Sequence, residues 1–447
     1  MQSIRRTFYK YVSTNVIGMI GISCYILADT FFVSKALGAL GLAALNFSIS
    51  IYSLLNGFGL MIGIGGATEF SIHRYEDKST ATCTAFTHAL RLGGVLAVVF
   101  LATAVFGSES LARALGANGP TLDLTVTYLR TILSFSPFFL LNNILLAFVR
   151  NDHSPRLSMA AMLISSLSNI ILDYIFMFPM GMGMFGAAFA TGLSPVISLG
   201  ILSLHFIGKK QGFHICPCKT QLNQVQRITS LGFSAFITEL ASAISLITFN
   251  LLILGIAGNI GVAAYGIIAN VALIATAVFV GISQGLQPLA SRYYGNRDMD
   301  SLRLVLRYSL ETTAILSVVV VLVTYLLAQP IVSIFNSGQD GTLATLAEKG
   351  VHLYFPGYLF AGLSIVSTAF LSSATKTKEA MMVSLLRSCL LLVPIAFMFS
   401  RLFDMNGIWF SFPFTEALVA VLVGYFLWKL IGSSKLSKKQ KKRERTV

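Results

Sequence analysis

A series of long apolar runs, separated by charged or Gly- and Pro-rich breaks, leaves this chain one solvent in which to fold, the lipid bilayer. The runs lie near 14–34, 44–71, 92–108, 124–148, 157–177 and 185–207, then 230–254, 262–290, 308–328, 351–373, 380–400 and 407–431. Each is close to the ~20 residues that carry a helix across a membrane. Backbone polar groups in hydrocarbon must be satisfied within their own segment, so the expected fold class is an all-α integral membrane protein with twelve transmembrane helices. With 55% hydrophobic and 11% charged residues, the 447-residue chain excludes a soluble globular enzyme and leaves no length for a sizeable extramembrane domain.

Lys and Arg number 32 against 18 Asp and Glu, a balance that in a soluble chain would suggest nucleic acid. In a membrane protein basic residues mark cytoplasmic loops, and here most of them fall on one side of the predicted layout. Both termini are therefore expected in the cytoplasm, with no nucleic acid as partner. The basic run 435–445 reads as a tail attracted to anionic lipid. Arg5, Arg6 and Lys10 lead straight into the first run without a cleavage site, so that segment is expected to be retained as a span. Cys24, Cys83, Cys216, Cys218 and Cys389 are scattered and odd in number, which predicts reduced thiols rather than a disulfide framework.

The chain also repeats itself. Gly38-Ala39-Leu40-Gly41-Leu42-Ala43-Ala44 returns as Gly258-Asn259-Ile260-Gly261-Val262-Ala263-Ala264, an offset of 220 (258 − 38). Gly63-Ile64, Arg74-Tyr75, Pro137 and Gly186 return as Gly281-Ile282, Arg292-Tyr293, Pro356 and Gly407 at nearly the same offset. Six spans per half make the repeat parallel, with a functional cleft expected between two six-helix bundles. The predicted organisation is a lobe over 1–208, a cytoplasmic linker over 209–228, a second lobe over 229–431 and a basic tail over 432–447. The linker, with Lys209, Lys210, His214, Lys219 and Arg227, is expected to be a solvated connection.

A carboxylate inside the bilayer costs ~2.5–3.5 kcal/mol on insertion scales, so each one needs a partner, a proton or a task. Asp29, Asp173, Glu239 and Glu416 fall inside predicted spans, whereas Glu69 and Glu311 lie nearer span ends. Asn169 precedes Asp173 by four residues and shares its helix face. With Thr191 in the sixth helix and Asp29 late in the first, four oxygen-bearing side chains can converge inside the first bundle. Two carboxylates brought together away from water cannot both ionise cheaply, so such a pair is suited to hold H⁺ or Na⁺. Hydrogen bonding between helices is the plainer role for Asn169 and Thr191. Glu239 and Glu416 place acids in the second half that could counter a cationic substrate, or steady helix packing. The six His are dispersed, so no resident metal or other cofactor is expected.

Asp29-Thr30-Phe31-Phe32-Val33 with Leu37-Gly38-Ala39-Leu40, Asn169-Ile170-Ile171-Leu172-Asp173, Gly186-Ala187-Ala188 with Thr191, and Gly281-Ile282-Ser283-Gln284-Gly285-Leu286-Gln287-Pro288 together resemble the multidrug and toxic compound extrusion (MATE) family. The placement of Glu239 and Glu416 is similar to its bacterial DinF/MepA-type branch. The resemblance runs from about Tyr11 to Leu430. It implies a V-shaped pair of six-helix bundles in the bacterial cytoplasmic membrane, working as a monomeric multidrug antiporter. Cationic or amphipathic drugs would leave in exchange for inward H⁺ or Na⁺. It carries a cation site over to Asp29, Asn169, Asp173 and Thr191, and an acidic position to Glu239.

This sequence departs from the family in lacking a Pro early in the first and seventh helices, where Ser13-Thr14-Asn15 and Gly232-Phe233-Ser234 stand. It also has no acid in the tenth predicted helix between Val351 and Ser373, which shifts the expected coupling to the first lobe. Rival readings are a flippase for lipid-linked precursors, which would want a basic cleft, an integral membrane enzyme, which would want a catalytic His, Asp or metal cluster, and a passive channel.

Overall fold

The computed structural model describes residues 2–74, 79–207, 212–335 and 341–444; Lys209 and Lys210 of the linker lie outside them. Helices are the only regular secondary structure among the described residues. Ten are long and apolar enough to cross a membrane, or eleven when one bent pair counts as a single crossing. The helix Thr377–Lys429 has 53 residues, which at about 1.5 Å each is more than twice the ~30 Å of hydrocarbon. Asp404 interrupts it with non-helical angles (φ 50°, ψ −133°), so it makes two crossings and the layout agrees with the twelve expected.

The crossings are α1 (Ile4–Gly38), α2 (Leu40–Arg74), α3 (Thr82–Ala114), α4 (Thr121–Ser134 with Ser136–Asn151), α5 (Pro155–Met177) and α6 (Gly183–Ile207). They continue as α7 (Leu222–Gly258), α8 (Ile260–Gly295), α9 (Met299–Leu326), α10 (Gly341–Ser373), α11 (377–403) and α12 (405–429). The first crossing is helical up to Gly38 without the help of a proline.

The repeat seen in the sequence is also written in the backbone. Gly38 (φ 62°, ψ −149°) ends α1, and Gly258 (φ 60°, ψ −153°) ends α7, 220 residues on. That conformation clashes with a Cβ, which is why glycine stands at both. Left-handed residues recur at His153 and Thr375, where α5 and α11 are about to start, and at Gly183, the first residue of α6, and Asp404, just ahead of α12. The fourth crossing of each half is broken as well. Pro137 sits at the 50° bend of α4, and Pro356 in a 3₁₀ turn, Phe355–Gly357, inside α10. A proline removes one helical hydrogen bond and crowds the turn before it, so these breaks have a local cause.

The chain divides into two compact units. One comprises Lys10–Ala243, the other Met1–Tyr9 with Ile244–Val447, so the boundary falls within α7. In the first unit, Phe70, Phe86 and Phe148 form an apolar core with Phe213 from the linker, and a second cluster gathers Val33, Leu55, Leu140 and Ala187. In the other unit, Ala264, Ile267, Val332 and Ala347 cluster.

α2 and α7 approach closely within the first unit. A Cβ on Gly65 would overlap the Ile228 carbonyl oxygen, and one on Gly232 would overlap that of Met61. Small residues that let backbones touch are the usual means of helix association in lipid, where the hydrophobic effect offers little.

The linker carries the exposed charges expected of it, at His214, Lys219 and Arg227, yet it is not solvated throughout. Phe213 is fully buried, with ring centroids 4.7 Å from Phe86 and 5.4 Å from Phe148. The expectation of uniformly reduced, isolated thiols is overturned, because Cys83 at the start of α3 is disulfide-bonded to Cys216. The two are 133 residues apart in sequence, so only tertiary packing brings them together.

Candidate functional site

Asp29 on α1, Asn169 and Asp173 on α5 and Thr191 on α6 are all buried. With the Asn169 amide turned so that its nitrogen faces the carboxylate, Nδ2 donates to Asp173 Oδ2 at 3.1 Å and the oxygen accepts from the Thr191 N–H at 3.3 Å. The four-residue spacing from Asn169 to Asp173 thus has a physical use: one helical turn places the amide between the acid and the neighbouring helix. Asp29 and Asp173 lie within electrostatic reach of each other. Asp29 Oδ1 and Asp173 Oδ1 are buried without a hydrogen-bond partner.

Three tyrosines that sequence reasoning left out complete this region. Tyr128 on α4 is placed against Thr191, within reach of both carboxylates. The hydroxyls of Tyr25 on α1 and Tyr52 on α2 are 3.0 Å apart, and both tyrosines lie near Asp29. Tyr52 also lies near Glu239 on α7, whose Oε1 accepts from Asn56 Nδ2 at 3.1 Å. Asn56 Oδ1 in turn accepts from Asn143 Nδ2 on α4 at 3.1 Å. A line of polar groups therefore runs from the aspartate pair through two phenols to Glu239, all within one unit. The signal was present in the sequence as Tyr25 with Asp29, and Tyr52 with Asn56, each four residues apart on one helix face. Counting only ionisable groups passed over it.

Glu239 and Glu416, grouped in the sequence reading as acids of the second half, have different settings. Glu239 is half-buried and belongs to the unit that contains Asp29 and Asp173. Glu416 on α12 is nearly inaccessible and accepts from Arg387 on α11 at 2.6 Å and 3.1 Å. Arg387 lies in a π-helical turn, Leu386–Leu390, a local widening that often accompanies a polar side chain held inside a bundle. The Glu416 charge is thereby answered within its own unit.

Glu69, for which the sequence offered no partner, is fully buried at the end of α2. Its Oε1 is 2.8 Å from His73 Nε2 and 3.1 Å from Arg227 Nε at the start of α7. Nearby in the chain, Asp152 just beyond α4 is bonded to Arg74, to His205 at 2.9 Å and to the Gly212 N–H at 2.6 Å. Burial pushes the Asp152 carboxyl up, but the bonds from His205, Gly212 and Arg74 outweigh it and hold the group below the ordinary aspartate value. Among the described residues no group of three or more His, Cys, Asp or Glu is arranged to hold a metal ion.

The MatE family model matches residues 15–175 and 234–398, one stretch in each repeat. The multidrug export protein MepA of Staphylococcus saprophyticus is 26% identical over 396 residues, covering 86% of each chain. MepA of Staphylococcus aureus is 25% identical over 421 residues, covering 92% of this chain and 91% of the relative. Among solved structures, an outward-facing multidrug resistance MATE transporter of the MOP superfamily superimposes with a TM-score of 0.90 at 22% identity over 97% of each chain. A point mutant of the Vibrio cholerae MATE transporter VcmN gives 0.89 at 18% identity over 97% of this chain and 98% of the other. Two stretches matched at equivalent places in a duplicated helical chain leave a single assignment: this multi-pass membrane protein belongs to the MatE family, a family of transporters and not of enzymes.

Proposed function

We propose that the protein is a secondary active multidrug exporter of the bacterial cytoplasmic membrane, with both termini in the cytoplasm. It moves cationic or amphipathic organic compounds outward in exchange for inward H⁺ or Na⁺. The coupling cation binds at Asp29 and Asp173, with Asn169 and Thr191 orienting the pair, and Glu239 provides the negative charge that a cationic substrate meets. The observation that carries this reading is the burial of two carboxylates in one site, each keeping an oxygen without a hydrogen-bond partner. Buried carboxylates in that state are costly unless a proton or cation joins them.

Work requires that the cation prefer one conformation, since a ligand binding two states equally shifts neither. Neutralising the aspartates removes their mutual repulsion and lets α1 pack against α5, and the tyrosine line joins that event to Glu239. The MepA relatives, named as multidrug export proteins, support the substrate class. Glu416 is left outside the transport site by its pairing with Arg387.

The test is efflux of a fluorescent lipophilic cation from inverted vesicles, with proton and sodium gradients imposed one at a time and Asp173→Asn run in parallel. Transport is expected under one gradient and absent in the variant. Wild-type transport by Asp173→Asn, or flux that persists after both gradients collapse, would overturn the proposal.

A further inference from the structure

The segment from Gly212 to Gln221 is laid along α3 by a series of bonds that the transport site does not use. The Cys216 N–H donates to Thr87 Oγ1 at 3.0 Å, the Gln221 N–H to His88 Nε2 at 2.9 Å, and Arg91 Nη1 to Thr220 Oγ1 at 3.2 Å. Cys83 and Cys216 are bonded in the middle of this seam, with Cα atoms 5.8 Å apart, inside the range a disulfide accepts without backbone movement. Two residues on, Cys218 remains a free thiol, its Sγ 4.0 Å from His88 Nδ1.

A groove of about 490 Å³ opens beside the pair, lined by Thr87, Leu90, Arg91, Ile215, Cys216 and Pro217. Of the two bonded cysteines, the half-buried Cys216 lines this groove, while Cys83 is 6% exposed. Arg91 supplies the positive charge at the groove. The groove thus presents a sulfur and a guanidinium to one small molecule. Both features are met by a disulfide of low molecular weight whose ends carry carboxylates. Arg takes a carboxylate in a two-pronged hydrogen bond, and the sulfur is the atom that exchange chemistry attacks.

We propose that Cys83 and Cys216 are a reversible dithiol site, oxidised by an acidic low-molecular-weight disulfide that docks in the groove beside Arg91. In the reduced protein, the Cys216 thiolate attacks one sulfur of the docked disulfide RSSR. A Cys216–S–S–R bond forms, the RS–SR bond breaks, and one RS⁻ leaves. The Cys83 thiolate, its proton given to water, then attacks the Cys216 sulfur and expels the second RS⁻. The two leaving thiolates take up protons, so RSSR is reduced to two RSH while the two cysteines are oxidised to one disulfide. On the proposed orientation the seam faces the cytoplasm, where the thiol pool keeps such pairs open. The bond then closes under oxidative challenge and clamps the linker to α3. This chemistry is independent of what the protein transports.

The experiment uses the full-length protein with Cys24, Cys218 and Cys389 replaced by Ser, so that maleimide labelling reports the pair alone. After reduction with a phosphine and its removal, glutathione disulfide is added and samples are quenched over time with polyethylene-glycol maleimide and run on a gel. Both labels are expected to disappear, and cystamine, a cationic disulfide, is expected to act about tenfold more slowly. Arg91→Ala should abolish that preference, and Arg91→Lys should keep most of it. Should the triple variant fail to express, non-reducing peptide mass spectrometry of the wild-type protein after the same treatments reads the Cys83–Cys216 linkage directly.

Persistence of two labels would overturn the proposal. So would a stable glutathione adduct on Cys216 that never resolves, because Cys83 would then not be the closing thiol. Equal rates with the two disulfides in both Arg91 and Arg91→Ala proteins would remove the docking site.

Discussion

Asp29 with Asp173 in one unit and Glu416 in the other are buried acids held in different ways. In the unit over Lys10–Ala243, Asp29 and Asp173 lie within reach of each other among phenols and amides, each with an oxygen that no donor serves. In the other, Glu416 takes two hydrogen bonds from Arg387 on Oε1 while its Oε2 is also without a donor, so what sets it apart is the arginine beside it. A duplicated chain that places a turn at Gly38 and again at Gly258 has kept its scaffold and let the charges diverge. An acid without a cation remains able to bind one. An acid with its own arginine is structural until that arginine leaves.

The largest expected effect breaks the comparison on the first side. Asp29→Asn or Asp173→Asn should reduce gradient-driven export to the level of vesicles lacking the protein, while expression and thermal stability hold or improve, because a buried charge has been removed. Vesicle efflux and a thermal melt in detergent measure the two quantities. A variant that both exports normally and melts normally would make the aspartates bystanders.

The second side is tested by Arg387→Met. Glu416 is then left buried without a counter-charge, at a cost of about 3–5 kcal/mol, seen as a lower melting temperature and poorer expression. Replacing both, Arg387→Met with Glu416→Gln, should restore most of that stability, and export should follow the amount of folded protein. If Arg387→Met instead melts like the wild type and loses export, the pair belongs to transport and the contrast between the units fails.

What the sequence disclosed divides along a related line. The spans were legible because lipid forces apolar residues to run continuously, and the repeat because backbone turns need the same small residues twice. Asp29, Asn169, Asp173 and Thr191 could be picked out because a polar group inside a span is costly and Asn169 stands one turn from Asp173. The tyrosines were not, since a phenol is tolerated almost anywhere in a membrane helix and carries no charge to flag it. Contacts made across long sequence separations were hidden too. Cys83 with Cys216, Glu69 with Arg227 and Arg74 with Asp152 are adjacent only after the helices pack. The linker, whose described charges are exposed as expected, also buries Phe213.

A third and smaller effect concerns Asp152, a paired acid inside the unit that also holds the unpaired Asp29 and Asp173. Its folded-state value lies below the ordinary one, so the stability it contributes is present above the unfolded value and is lost as pH falls through the folded one. Charged hydrogen bonds of this kind contribute about 1.5–3 kcal/mol. The wild-type melting temperature should therefore fall more steeply than that of Asp152→Asn between about pH 5 and pH 3. Parallel curves would mean that the bonds to Arg74, His205 and Gly212 add no net stability.

Tyr52→Phe has the smallest expected effect on stability and the sharpest bearing on the contrast. It removes one neutral hydrogen bond, to Tyr25, worth about 0.5–1.5 kcal/mol, and leaves the ring packed edge-on against Phe139. Export should slow by a few fold and not vanish, because both aspartates and Glu239 are intact. If the phenols transmit the state of the aspartate pair to Glu239, Tyr52→Phe and Glu239→Gln act on one step, and the double variant should export hardly less than the worse single one. If the two losses multiply, the line of polar groups is only packing. The first unit's unpaired acids would then act separately, as independent sites within one bundle.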